Sequence, residues 1–380
     1  MAIDSTVTAL EKPSGAGVVM KYGDCGRIAT SYIKELTARL NRPETQRQIL
    51  AKAWQFLEDK NRPLFAFEKH KKGNDDKVWL VDAPQIGTVW FVGDLHGDLL
   101  ALEAALHYIE HKCYVKPRIV FLGDLFDDVG FNIETTMRVL EIVTKDPEHF
   151  CLLAGNHDEG LSYREEEKRF ASTVSPSDFA DILNDEKFQT PEMQLLGQMA
   201  VKLFEQAPRA LFFRDGLLAA HGGFPLRDLW ETLKTPMDLN APECLQDFVW
   251  TRAHKTIKRK LPNRTTKGCQ FGYEDFDGFC EKASGLLGFT VNKMIRGHDH
   301  MDERFEIYEK YAKNRIMTIN TLSRRLSREI SGDFERTPCI ARYVKGGLPE
   351  IHKLIIPKET IRNTYSEFLP DESVHHTEGV

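Results

Sequence analysis

Short apolar runs that break off at glycine-bearing polar clusters limit the fold more than any other feature of this chain. Thr88 to Val92 stops at Gly93-Asp94, Arg118 to Leu122 at Gly123-Asp124, and Phe150 to Leu153 at Gly155-Asn156. Runs this short, rich in β-branched and aromatic residues, read as buried strands. Between the first two, Asp98 to His111 puts Leu99, Leu100, Leu102, Ala105 and Leu106 on one face, as a crossover helix would. Strand, helix, strand repeated twice predicts a parallel or mixed sheet whose polar residues gather at the carboxyl ends of its strands, where α/β proteins build ligand sites. Residues 210–213, 216–220 and 315–319 read as further strands, and 340–344 with 350–356 as a hairpin about Gly346-Gly347. The expected fold class is α/β (α+β): a two-sheet sandwich flanked by helices.

Residues 1–85 differ in texture and read as a helical N-terminal extension. One helix is expected from Ile33 to Leu40. A second runs from Pro43-Glu44 to Lys60, with Ile49, Leu50, Ala53, Trp54 and Leu57 at helical spacing. Lys69 to Lys77 reads as a loop or turn before Val78 to Val81, with a boundary near 85. A catalytic domain follows over 86–357, interrupted by a charged helical insertion at about 159–207, and 358–380 form a polar, loosely ordered tail. The N-terminal helices offer a surface for a protein partner. A hydrophobic content of 41% with 28% charged residues is that of a globular protein. The net charge of −6 argues against nucleic acid as the main partner. No apolar run approaches the roughly 18 residues of a membrane span, and no leader pattern opens the chain. Seven scattered cysteines without a Cys-x-x-Cys pair read as free thiols and point to the cytoplasm.

The chemistry lies in five clusters that end apolar runs: Gly93 to Asp98, Gly123 to Asp128, Gly155 to Asp158, His221-Gly222-Gly223, and Arg296 to His300. Taken singly, a Gly-Asp after a strand is most often a turn, and a histidine is most often structural. Five together, each supplying carboxylate, amide or imidazole ligands, outweigh that reading. Imidazole and carboxylate suit borderline divalent cations, and a shared carboxylate can bridge two of them.

At these residues the chain resembles the calcineurin-like metallophosphoesterase superfamily. His221-Gly222-Gly223, the Asp247 to Trp250 segment and Phe271-Gly272 resemble more narrowly the serine/threonine phosphoprotein phosphatases. The resemblance covers roughly 87–345. It implies that Asp94 and His96 hold one metal, that Asp124 bridges, and that Asn156, His221 and His298 complete the second. It assigns His300 to the first metal in the general superfamily pattern, a histidine that the phosphoprotein phosphatase pattern lacks. His157, partnered by Asp127, becomes the general acid for the leaving oxygen, and a hydroxide bridging the two ions becomes the nucleophile. The two ions are expected to be manganese, with iron, zinc and cobalt also matching the ligands.

Two arginines of the phosphatase pattern are absent, Asp128 and Ala154 standing in their places, and Thr321 to Arg325 replaces a tyrosine-bearing loop. A substitute is expected in the acid-free basic segment 251–267, with Arg252, Arg264 and Lys267 as phosphate binders; a solvated basic helix weighs equally. The expected function is a metal-dependent phosphatase acting on phosphomonoesters, on a phosphorylated protein or a small phosphoester. A nucleotide or dinucleotide-polyphosphate hydrolase is the alternative, and an inactive metal-binding scaffold the minor one.

Overall fold

Two six-stranded sheets lie against each other through aromatic inner faces, in a computed structural model that describes residues 19–25, 28–59, 76–85, 87–263, 267–329 and 332–369. The first sheet runs β1 (Met20–Asp24), β17 (Glu350–Ile355), β16 (Cys339–Tyr343), β3 (Val89–Val92), β4 (Arg118–Phe121), β5 (Phe150–Leu152). The second runs β14 (Phe305–Ile307), β15 (Arg315–Ile319), β13 (Lys293–Arg296), β9 (Leu217–Ala220), β8 (Ala210–Phe213), β2 (Val78–Val81). Phe213 meets Phe91 of the opposite sheet at 6.1 Å between ring centres and Tyr343 at 5.9 Å. β3, β4 and β5 are parallel, so their carboxyl ends open on one edge, and β9, β13 and β15 are parallel in the second sheet.

Helix α3 (Leu99–Lys112) begins where Asp98 accepts a hydrogen bond from the Ala101 amide, and its first half, Leu99 to Ala105, is wholly buried. The expected N-terminal helices are α1 (Thr30–Leu40) and α2 (Pro43–Glu58), with Pro43 at the first turn. They bury Leu36, Leu40, Leu50 and Ala53 while packing on α4 (Asn132–Lys145), α7 (Pro191–Gln206) and α10 (Lys358–Thr364). Trp54, placed on the apolar face by spacing, is instead exposed beneath the Lys202 ammonium, 4.8 Å from its ring. Residues before 85 also give each sheet a strand: β1 pairs with β17 and β2 with β8. The turn expected at 69–77 lies mostly outside the described residues.

Three expectations need correction. The insertion is not purely helical, because β6 (Leu161–Arg164) and β7 (Arg169–Ser172) form a hairpin before α6 (Asp178–Asn184) and α7. The charged run Glu165 to Lys168 that suggested helix is the turn of that hairpin, with Lys168 in left-handed conformation at φ 48°. The basic segment is no helix either. It forms β10 (Arg252–Ala253) and β11 (Leu261–Pro262), both paired with β12 (Cys269–Phe271), between α8 (Pro242–Trp250) and α9 (Tyr273–Leu287). The tail is structured through residue 369, because Ile361 and Tyr365 bury their side chains; the rest lies outside the described residues.

Candidate metal centre

All five clusters converge at the carboxyl edge of the two sheets. The loops after β3 and β4 carry Asp94, His96 and Asp124, and the short helix α5 (Asn156–Gly160) begins with Asn156 and His157. From the second sheet, the loops after β9 and β13 bring His221, His298 and His300. Three groups each hold their ligand atoms within 4.8 Å of one another: Asp94, His96 and His300; His96, Asp124 and His157; Asp124, His221 and His298. Asp124 is thus shared, and every metal ligand expected from sequence except Asn156 falls in these groups. Asn156 joins through its side-chain oxygen, 3.1 Å from His221 Nε2.

The backbone pays for this convergence in strain. His96, Asp124, Asp127, Asp128 and His298 all take positive φ, from 41° to 74°, a conformation costly for residues with a Cβ and frequent at functional sites. Two motif glycines are required by close approach. A Cβ on Gly155 would collide with Asp124 Oδ1, and one on Gly297 with Asp94 Oδ1.

The hydrogen bonds fix which ring nitrogens face inward. His221 Nδ1 lies 2.9 Å from the Leu122 carbonyl and His96 Nδ1 lies 3.0 Å from that of Phe126. Both Nδ1 atoms therefore carry the proton, and each Nε2 presents a lone pair to the centre. There His221 Nε2 faces Asp124 Oδ2 at 3.3 Å, Asn156 Oδ1 at 3.1 Å and His298 Nδ1 at 3.1 Å. His96 Nε2 faces His300 Nε2 at 3.3 Å and Asp124 Oδ2 at 3.6 Å. His298 Nε2 is buried without a hydrogen-bond partner among the described residues. Lone pairs facing oxygens repel unless a cation lies among them, so this nitrogen and oxygen donor set fits divalent metal. Asp94 is fixed from behind by the His298 amide, 3.1 Å from Oδ1 and 3.0 Å from Oδ2, and its Oδ2 lies 3.1 Å from His300 Nε2.

His157 stands apart in electrostatics. Its Nδ1 lies 2.7 Å from Asp127 Oδ2, while Asp127 Oδ1 accepts from the Phe179 amide at the start of α6. Burial opposes a charge on His157, but the carboxylates of Asp124 and Asp127 outweigh it and push its pKa up to about 9. Burial pushes Asp127 up to about 6. Burial likewise raises Asp158, helped by the Asp124 charge, to about 7. Burial dominates the other way at His96, which is held below the ordinary imidazole range.

A cavity of about 720 Å³ opens over the centre, lined by Asp124, Asn156, His157, His298 and His300, by Trp250, Arg252 and Lys267, and by Ser172 to Ser175 of the insertion. Lys267 lies over the Trp250 ring at 5.2 Å. Arg252 borders the cavity, yet its guanidinium is bound to the His298 carbonyl and to Asp299, each at 2.9 Å. Arg264 lies outside the described residues. Elsewhere the basic segment is ion-paired on its surface, Lys255 with Glu306 and Arg259 with Glu274.

Sequence reasoning gave no role to three residues that hold the loops. Asp158 accepts the amides of Asp124, Leu125 and Gly155. Asp98 accepts from Ser323 and from the Tyr365 hydroxyl. Arg324 donates to the His96 and Asp128 carbonyls at 2.7 and 3.1 Å. Asp128 is buried, and its Oδ1 accepts the Ser327 amide. The available signal was a sixth polar cluster, Thr321 to Arg325, closing the apolar run of β15.

Comparison with known proteins shows the family. Residues 87–302 match the family model of the calcineurin-like phosphoesterases. A serine/threonine-protein phosphatase of Caenorhabditis elegans is 26% identical over 242 residues, 61% of this chain and 47% of that protein. The PP2A-like phosphatase PPG1 of Candida albicans is 24% identical over 258 residues, 64% of this chain and 54% of that protein. The chain therefore spans about half the length of these two relatives. A solved serine/threonine phosphatase from Saccharomyces cerevisiae superposes with a TM-score of 0.51 at 16% identity, covering 84% of this chain and 89% of that one, a likeness of fold. No helix among the described residues is long and apolar enough to cross a membrane.

Proposed function

From the premise that this chain belongs to the calcineurin-like phosphoesterase family, we propose that it hydrolyses a phosphomonoester, carried on a phosphorylated protein, with two divalent ions as cofactors. The observation that carries the reading is the Asp124 carboxylate shared between two groups of inward-facing ligands. Asp94, His96, Asp124 and His300 would hold one ion, and Asp124, Asn156, His221 and His298 the other. Such a pair supplies Lewis acidity to phosphoryl oxygens and makes water a competent nucleophile near neutral pH.

The chain's own part is proton management and orientation. His157 carries two protons: Nδ1–H donates to Asp127, and Nε2–H remains for the leaving oxygen, which gains that proton as its bond to phosphorus breaks. Asp127, itself held by the Phe179 amide, sets the ring plane. The His157 amide donates to Asp124 Oδ1 at 2.9 Å, so acid and shared carboxylate move together. The serine/threonine phosphatases among the similar proteins support a phosphoprotein substrate over a nucleotide.

The test is the manganese-loaded protein on p-nitrophenyl phosphate, bis-p-nitrophenyl phosphate, diadenosine tetraphosphate and a phosphoserine peptide. The proposal expects the monoester and the phosphopeptide to turn over fastest. Preferential cleavage of the diester or the dinucleotide would replace it with the nucleotide-hydrolase reading.

A further inference from the structure

Among the described residues, the arginines and lysines that border the cavity are Arg252, Lys267 and Arg328. Arg252 is engaged by Asp299 and the His298 carbonyl, and Lys267 rests on Trp250. Arg328 differs from both, being exposed and without a hydrogen bond or ion pair among the described residues. Its backbone, by contrast, is tethered on each side. The Ser327 amide donates to Asp128 Oδ1 at 3.2 Å. Glu329 accepts the Leu326 amide at 2.8 Å and is clamped by the fully buried Arg304 guanidinium, whose Nη2 donates to Glu329 Oε2 at 2.8 Å. Four residues earlier, Arg324 secures the same strap to the His96 and Asp128 carbonyls.

A guanidinium with no partner among the described residues, at the tip of a turn held this firmly, costs only its own side-chain freedom to order around a ligand, since the backbone is already fixed. It borders the cavity together with Asp128, His157 and His300. Carboxylates abound nearby, yet Asp128 spends its Oδ1 on the Ser327 amide. A planar fork of donors beside a centre that attracts anions is matched by the terminal oxygens of a phosphate dianion.

We propose that Arg328 is the substrate-phosphate clamp of this protein, gripping the non-bridging oxygens of a phosphomonoester. The assignment rests on the phosphoesterase reading above and deepens it, since a clamp of this kind selects monoesters, whose phosphate keeps three terminal oxygens, over diesters, which keep two.

The test compares wild type, Arg328→Ala and Arg328→Lys as full-length, manganese-loaded protein. Inorganic phosphate binding is read by calorimetry, together with kinetics on p-nitrophenyl phosphate and its bis ester. For Arg328→Ala we expect Kd for phosphate and KM for the monoester to rise about tenfold or more, the diester to change less than about twofold, and Tm to stay level. Arg328→Lys restores charge without the fork and should recover only part of the loss. Wild-type hydrolysis with unchanged phosphate affinity in Arg328→Ala overturns the clamp alone. A wild-type protein that neither binds phosphate nor hydrolyses either ester overturns the clamp together with the phosphoesterase reading. Equal losses on monoester and diester overturn the selectivity role.

Discussion

Of the clusters of buried and half-buried charge in this molecule, the one beside α1 and the one at the sheet edge are wired oppositely. Where α1 meets α3 and α4, signs alternate. Arg39 grips Glu141 with two bonds of 2.7 and 2.8 Å, Arg138 bridges Glu141 and Glu103, and the Tyr32 hydroxyl donates to Glu103. Glu103 and Glu141 each have their cation. At the sheet edge, Asp124 and Asn156 face the inward nitrogen of His221, and Asp124 sits on backbone strained into positive φ. The first arrangement is complete in itself and holds the fold. The second is satisfied only when something positive is added, which is what separates a binding centre from a structural ion-pair network.

That contrast is open to mutation, and the largest effect belongs to the incomplete cluster. Asp124→Asn should lower kcat on p-nitrophenyl phosphate by at least about a hundredfold, the upper range found for residues that merely support metal ligands, with the fold retained by circular dichroism. His157→Gln should cost about a hundredfold on a poor leaving group such as a phosphoserine peptide and clearly less on p-nitrophenyl phosphate, whose leaving oxygen needs no proton, while metal content stays at the wild-type level. Equal losses on the two substrates would remove His157 as the acid.

The complete cluster and its helices should answer in stability alone. Leu50→Ala empties a fully buried site in α2 and should cost about 2–5 kcal/mol in urea denaturation, with kcat per folded molecule unchanged. The smallest effect is pH-dependent. The hydrogen bond from Arg39, with Arg138 behind it, holds Glu141 down to about 2 against an ordinary 4.5. A carboxylate with a depressed folded pKa stabilises fully above its unfolded value and loses that contribution as pH falls toward the folded one. Glu141→Gln should therefore lower Tm at pH 7, and the gap should narrow between pH about 4.5 and about 2. Because the pair is partly exposed, the difference should stay below about 1 kcal/mol.

The sheet-edge site was readable in sequence because its ligands sit directly after strands, where local pattern and position coincide: Asp94 two residues beyond β3, Asp124 three beyond β4, His221 one beyond β9. What escaped depends on chain-distant meetings. Arg328 borders the cavity on a strap held where Glu329 pairs with Arg304, where Arg324 bonds the His96 and Asp128 carbonyls, and where Asp98 joins Ser323 to Tyr365, a residue in a segment that composition alone marks as a loose tail. The hairpin β6 and β7 was hidden for a local reason. Its turn, Glu165 to Lys168, has helix-forming composition, and the apolar partners that favour strand, Tyr163 and Phe170, stand on either side of it. The basic segment misled similarly, since its lysines and arginines look like a phosphate-binding surface until Glu274, Glu306 and Asp228 are found beside them.

The central claim, that Asp124 joins two metal sites, is tested most directly by counting ions. After equilibrium dialysis against manganese, elemental analysis of the wild-type protein should give two ions per chain, and Asp124→Asn should retain fewer than one. A wild-type chain that keeps no ion, or an Asp124→Asn protein that keeps both, would contradict the account.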